Sequence, residues 1–437
     1  MIFKFLKYTR PIWYFNLRPS QDFGYFPTEN QLRADGFTLS KDLNYVSQDA
    51  QNRDLAWVAH NSGFINKNFE KGLEIWNETP IPVVDEYRFM KKYLHPAWVF
   101  YTYIIRILTF HNPFSETYYF FKNRKVKRVS FSDTIVKHNQ YEEFASKIVC
   151  NNPKISIIIP TLNRYKYLKD VMLDLEKQTY KNFEVIVVDQ TIPFQEEFYK
   201  NWNLDLIYWH QKEKALWKAR NEAIEKATGE YILLYDDDSL IDADWIYEHL
   251  KCLDFFKADI SSGVSLSVVG AKVPEHYNYF SWSSQLDTGN VLLKKEIFYK
   301  IGFFDLKFEK QRMGDGEFGL RCYLNGYKNI SNCKAKRVHL KVSEGGLRQM
   351  GSWDGWRPKK LFGPRPVPSV LYLSRKYFGN SSSVYYIMNS ILPSLIPYKF
   401  KGNRFLIFLS FLFLPLVLPL VIFQVFKSWK ISTRMLS

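Results

Sequence analysis

Gly229–Trp245 reads GEYILLYDDDSLIDADW, and its interpretation governs the rest of the chain. Tyr231–Tyr235 is an apolar and aromatic run of the right length for a buried strand, and it stops abruptly at Asp236, Asp237 and Asp238. Adjacent carboxylates repel: at a separation of roughly 5 Å and an effective dielectric of about 20, each pair costs on the order of 3 kcal/mol. Something positive must offset that charge. A divalent cation held through carboxylate oxygens, Mg²⁺ or Mn²⁺, meets the requirement and completes its shell with water and phosphate oxygens. The competing reading is a solvated turn whose last Asp caps the next helix. In an extended chain alternate residues point the same way, which groups Asp236 with Asp238 and sets Asp237 apart as a neighbour.

The flanking segments tell more. Ile155–Pro160 (ISIIIP) is a β-branched run, and Leu168, Val171, Met172 and Leu175 follow at the spacing of an amphipathic helix. Phe183–Asp189 (FEVIVVD) is a second strand of the buried type and Leu204–Trp209 a third. Leu216, Ala219, Ala223, Ile224 and Ala227 mark one helix face, stopped by Gly229. Strands alternating with helices predict an α/β fold with a mainly parallel sheet covered on both faces. Ligands on such sheets bind at the carboxyl ends of the strands. Pro160–Arg164, Asp189 and the Asp triplet all fall there, so they converge on one crevice. Farther on, Ala258–Val269 and Asp287–Leu293 are expected strands, and Lys294–Ile301 is a short helix ended by Gly302. Asp315 and Glu317 stand at the head of another helix, where an Asp serves equally well as an N-cap. His339, between Val338 and Leu340, reads in isolation as a hydrogen-bonded core residue.

Together, ISIIIPTLNR (Ile155–Arg164), VVDQT around Asp189, ARNEAIEKATGEYILLYDDD (Ala219–Asp238), GNVLLKKEIFYKIGFFD (Gly289–Asp305) and GDGEFGLRCYLNGY (Gly314–Tyr327) resemble the inverting family 2 glycosyltransferases. The resemblance covers residues 154–340. It implies the GT-A fold, a Rossmann-like nucleotide-diphospho-sugar transferase domain, here with an N-terminal extension and a C-terminal membrane-associated segment. It also implies roles. Thr161 and Asp189 contact the nucleotide, Asp189 at the base, with Pro160 and Arg164 beside them, and Arg220 approaches the phosphates. Asp236 and Asp238 match the ends of the family's D-x-D motif: Asp238 is the principal metal ligand, joined by His339, and Asp236 orients the ribose and diphosphate, with Asp237 on the same nucleotide-sugar side. Asp315 matches the catalytic base, and Gly314 replaces the Glu that usually precedes it. Gly289, Asn290 and Glu317 fall on the acceptor or donor side. The implied cofactor is Mn²⁺ or Mg²⁺, and the implied donor is a nucleotide-sugar, a UDP-sugar at family level.

The remaining sequence bears on location. Residues 1–150 form an accessory region with a helix-like segment, Phe64–Trp76, and an aromatic run, Ala97–Phe110, too short to span a bilayer; that run either lies against a membrane surface or, the favoured reading, covers the following domain. The basic patch Lys122–Arg128 reads as a solvated surface, and Asn151–Pro153 as a linker. Cys150, Cys252, Cys322 and Cys333 make neither a zinc pattern nor a disulfide framework, which suits reduced thiols in the cytosol. The N-terminus lacks the apolar core and cleavage site of a signal peptide. Net charge is +16, and from Lys341 onward 14 Lys and Arg face only Glu344 and Asp354, so most of the excess lies in the last quarter. Residues 341–404 are basic, aromatic and interfacial in character, with Val384–Tyr398 as a candidate surface segment. Gln349 and Trp353 echo the Q-x-x-R-W motif of processive synthases, but Ser352 holds the arginine position, which favours addition of one sugar. Phe405–Phe426 is 22 consecutive uncharged residues, roughly 33 Å as a helix, enough for a hydrocarbon layer near 30 Å. Pro415 and Pro419 leave a re-entrant hairpin open beside a single span, and residues 427–437 form a basic tail. Charge beside an apolar anchor predicts anionic membrane lipid, and no nucleic acid, as a partner at the cytoplasmic face. A saccharide or lipid-linked acceptor fits that placement. The alternatives are an inert nucleotide-sugar-binding scaffold and a processive polysaccharide synthase.

Overall fold

Up to residue 135 the regular structure is helical: α1 (Leu6–Thr9), α2 (Glu29–Ala34), α3 (Gln48–Asn61), α4 (Val83–Tyr93), α5 (Pro96–Leu108) and α6 (Pro113–Lys122). The computed structural model describes every residue except 68–70, 77–79, 268–272, 343–344, 348–353, 359, 397–399 and 401–402. Side-chain caps start several of these helices, including a capping box of Thr28 and Gln31 on α2 and Ser47 on α3. No helix forms in the described part of Phe64–Trp76. Leu73 N instead donates to Phe26 O at 2.6 Å, and a Cβ on Gly72 would lie 2.4 Å from that same oxygen. Close backbone approach took precedence over helical spacing there.

The sheet unit consists of residues 19–21 and 136–349. It opens with α7 (Gln140–Glu143) and α8 (Lys147–Asn151), then β1 (Ile155–Thr161), α9 (Tyr165–Glu176), β2 (Phe183–Asp189), β3 (Asp205–His210) and α10 (Leu216–Lys226). There follow β4 (Tyr231–Tyr235), β5 (Ser239–Ile241), α11 (Trp245–Phe256), β6 (Ile260–Ser267), β7 (Ser281–Trp282), β8 (Asn290–Lys294), α12 (Glu296–Ile301), α13 (Gly314–Leu324) and β9 (Asn329–His339). The strand order is β3-β2-β1-β4-β8-β6-β9-β5, with β7 on β9. β3, β2, β1 and β4 are parallel, β8 runs against β4 and β6, and β6 and β9 are parallel again. This mixed, parallel-rich sheet has the GT-A organisation expected above. β1, β2 and β4 are buried along their whole length, as their unbroken apolar runs require. Gly229 sits where a Cβ would meet Ser156 N at 2.6 Å, so the absence of a side chain lets β4 approach β1. The Asp triplet does not cap the next helix: β5 intervenes, and α11 begins only at Trp245.

The other unit combines residues 1–18 and 22–135 with residues 350–437. Its C-terminal part is α14 (Pro368–Leu395), interrupted at Gly379 with φ 78°, and α15 (Arg404–Leu436). Residues 384–395 of the expected interfacial segment are the second half of α14. α15 runs unbroken through Pro415 and Pro419, so no re-entrant turn forms. Among the described residues its Leu412–Leu436 portion is the one helix long and apolar enough to cross a membrane, by length and composition. The guanidinium of Arg375 lies 4.2 Å from the centroid of the Trp429 ring and donates to Ser432 Oγ at 2.7 Å, tying α14 to α15. Tyr8 on α1 meets Tyr385 on α14 edge to face, centroids 5.0 Å apart. Gln349, Ser352 and Trp353, the partial synthase motif, lie outside the described residues.

Candidate active site

Parallel pairing brings the carboxyl ends of β1, β2 and β4 side by side, with Thr161 in register with Asp189. Thr161 Oγ1 donates to Asp237 Oδ2 at 2.8 Å. Arg164, just past β1, donates to Asp237 Oδ1 at 2.8 Å and lies 3.2 Å from Asp238 Oδ2. Asp237 is therefore not a bystander. It is buried and pins both Thr161 and Arg164. Burial pushes its carboxyl up to about 6, opposed by Arg164 and reinforced by Asp238.

Asp236 meets two further guanidinium groups. Arg220 on α10, fully buried, donates to Asp236 Oδ1 at 3.1 Å and to Thr288 O at 3.0 Å. Arg337 on β9 donates to Asp236 Oδ2 at 2.8 Å, Asp287 Oδ2 at 2.8 Å and Ser265 Oγ at 2.7 Å. Burial works against the charge of Arg337, but Asp287 and Asp236 outweigh it and hold its pKa above the ordinary value. Thus Arg164, Arg220 and Arg337 offset the triplet, a role the sequence reading reserved for a metal. Arg220 faces Asp236 from inside the fold. Gly289 makes the Arg337 contact possible, since a Cβ there would lie 2.0 Å from Arg337 Nη1 and 2.1 Å from Asp236 Oδ2.

Metal-ligating chemistry converges at the same place. His339 closes β9 opposite Ser239, and its Nε2 is 3.2 Å from Asp238 Oδ1. One ligand atom each from Asp236, Asp238 and His339 lie within 4.8 Å of one another. Two carboxylates and an imidazole suit a divalent cation of the Mn²⁺ kind, and Mg²⁺ through the oxygens. The donor set therefore fits the implied cofactor.

Other expected residues are placed differently. Asp189 is fully buried, with both oxygens engaged: Thr191 N donates to Oδ1 at 2.8 Å, and Tyr165 and Tyr199 hydroxyls donate to Oδ2 at 2.6 and 2.8 Å. Pro160 lies inside β1 against Val188. Asn290 is a structural cross-link. Its Oδ1 accepts from Trp245 Nε1 and His249 Nε2 at 2.8 and 3.0 Å, while Nδ2 donates to Val264 O and Ala335 O at 3.1 and 3.0 Å. Glu317 is buried, its carboxylate accepting from Arg321 Nε at 2.9 and 3.0 Å, and Arg321 in turn holds the carbonyls of Ile301, Gly302 and Phe303. Asp315 occupies the first turn of α13 after Met313, whose φ is 77°. Beside it, Gly314 abuts Trp217: a Cβ would come within 2.4 Å of the indole ring.

Arg337 and Asp287 are the residues missed. Arg337 stands two positions before His339, which on a strand puts both on one face, but β9 itself reads as polar and irregular (NISNCKAKRVH). Asp287 opens the expected strand Asp287–Leu293 and carried no motif, and the strand itself begins only at Asn290.

Comparisons with known proteins bear on the same segment of the chain. Residues 156–312 match Glycosyl transferase family 2. A PGL/p-HBAD biosynthesis glycosyltransferase of Mycobacterium bovis is 28% identical over 188 residues, 40% of this chain and 71% of the relative. The poly(ribitol-phosphate) beta-N-acetylglucosaminyltransferase TarS of Staphylococcus aureus is 30% identical over 129 residues, 28% of this chain and 22% of TarS. The crystal structure of S. aureus TarS 1-349 in complex with UDP-GlcNAc aligns at 22% identity and TM-score 0.42, covering 57% of this chain and 69% of that one. Residues 156–312, with motifs in family order on a mixed sheet, therefore form a Glycosyl transferase family 2 domain within this chain.

Proposed function

We propose that the enzyme transfers a sugar from a nucleotide-diphosphate sugar to a hydroxyl of a saccharide or lipid-linked acceptor, with inversion, at the cytoplasmic face of a membrane. The observation that carries this reading is the cluster of Asp236, Asp238 and His339 at the ends of β4 and β9. Asp315 takes the acceptor hydroxyl proton as oxygen bonds to the anomeric carbon and the carbon–oxygen bond to the diphosphate breaks. The electron pair leaves with the nucleotide diphosphate. A divalent cation on Asp238, His339 and Asp236 would neutralise charge on that leaving group. Asp237 and Thr161 hold Arg164 beside the same charge, so the chain contributes a fixed guanidinium of its own. TarS, by its name, transfers N-acetylglucosamine, which supports a UDP-sugar as the first donor to test. Surface-polysaccharide assembly is the process that such a donor and acceptor would serve.

Asp315→Asn is expected to abolish transfer while leaving thermal stabilisation by the nucleotide-sugar intact. Unchanged turnover in that variant removes Asp315 from the mechanism. Screening UDP- and GDP-sugars with and without Mn²⁺ ranks donors, because a ligand at a hundredfold excess over Kd raises stability by about 2.7 kcal/mol.

A further inference from the structure

Helices α5 and α6 form a hairpin whose inner side is tightly built. Arg106 donates to both carboxylate oxygens of Glu116 at 2.8 and 2.5 Å, Tyr87 OH donates to Glu116 at 2.7 Å, and Tyr103 OH meets Thr117 Oγ1 at 2.8 Å. Arg106 also lies over the Phe5 ring at 4.2 Å. The outer side carries exposed apolar and aromatic side chains instead. Phe100, Ile104 and Leu108 are exposed at i, i+4 and i+8 on α5, and Phe114, Tyr118 and Phe121 at i, i+4 and i+7 on α6. At the turn, Phe110 is 98% exposed and Phe114 83%. One face of α5 thus packs within its own helical unit, and the other is an aromatic stripe in water. Patches of this kind mark interaction surfaces.

We propose that this hairpin is a docking surface for an anionic bilayer, lying in the headgroup region. Charge selects that occupant. Between residues 96 and 130 the only acidic residue is Glu116, buried against Arg106, whereas Lys122, Arg124, Lys125, Lys127 and Arg128 are all exposed directly after α6. Aromatic rings beside a basic run match the chemistry of the lipid interface, where each Lys or Arg adds attraction to anionic headgroups. Length selects the mode. At 13 and 10 residues the helices measure roughly 20 and 15 Å, short of a hydrocarbon layer near 30 Å, so they lie on the surface. The surface also belongs to the unit that carries α15: Arg106 reaches Tyr8 OH at 3.4 Å, and Tyr8 packs on Tyr385 of α14. The inference does not rest on the nucleotide-sugar chemistry.

The test uses the full chain with Cys150→Ser, which removes the exposed thiol and leaves Cys252, Cys322 and Cys333 buried. Phe114→Cys and, separately, Leu43→Cys introduce sites for an environment-sensitive fluorophore, Leu43 being an exposed control in the same unit. The chains are reconstituted into phosphatidylcholine vesicles with and without phosphatidylglycerol, and lipids bearing a shallow nitroxide serve as quencher. The expected result is a blue shift and loss of most emission at position 114 with phosphatidylglycerol, none at position 43, and recovery of emission when Lys125, Lys127 and Arg128 are changed to Gln. A probe at 114 that stays wet in both vesicles overturns the proposal. Equal quenching without phosphatidylglycerol overturns the anionic specification. Shielding that develops without lipid and grows with protein concentration assigns the stripe to a second copy of the chain and also overturns it.

Discussion

Gly314 stands where the wider family carries Glu, and the Trp217 ring fills the space a side chain there would need. Trp217 is itself held, with Nε1 donating to Phe308 O at 3.1 Å and its ring 5.0 Å from Phe304. Restoring the family residue is therefore expected to harm the enzyme. Gly314→Glu should unseat Trp217, lower the melting temperature through overpacking of about 1–3 kcal/mol, and reduce turnover. A thermal melt and an initial-rate assay check both effects, and a more active variant would show that Trp217 yields freely. Single residues with a motif around them, Asp238 and His339, were legible in the sequence as near neighbours in space. Arg220, Asn290 and Glu317 were located, but the direction in which their polar groups point was not legible. For Arg220 that direction depends on Asp236 and Thr288, 16 and 68 positions away, and for Glu317 on Arg321, which is itself held by carbonyls 18 to 20 positions back.

At the level of elements, β1, β2 and β4 were legible because burial on both faces demands an unbroken apolar run. β5 and β9 were not, because their half-exposed residues alternate irregularly and β9 carries a register shift against β6. The join between α11, β6 and β8 is equally silent in sequence. There His249 on α11 donates from Nε2 to Asn290 Oδ1 (3.0 Å) and meets Ser261 Oγ through Nδ1 (2.9 Å), and burial lowers its pKa from 6.5 to about 4. The unfolded chain therefore binds more protons between pH 4 and 6.5, so the stability contributed by neutral His249 is present above that window and is lost as pH falls through it. The loss is about 3 kcal/mol at full protonation. Denaturant unfolding at pH 7 and pH 4.5 should give a smaller difference for His249→Gln than for the native chain.

The whole molecule divides into two units, and the helical one is assembled from both ends of the sequence. Nothing in the composition of residues 1–150 announces this pairing, because contacts such as Tyr8 with Tyr385 join residues of ordinary aromatic character. Tyr8→Ala removes a fully buried ring and should destabilise the helical unit by about 3–5 kcal/mol. Scanning calorimetry should show one transition moving to lower temperature while the transition stabilised by a nucleotide-sugar stays in place. The assembly also has a consequence in time. Residues 136–349 are synthesised between the two parts of the helical unit, so at roughly 5–20 residues per second α1 waits on the order of 20–70 s for α14. During that interval the face of α1 that meets α14 at Tyr385 lacks its native cover, while Phe5 can already pack on Tyr87.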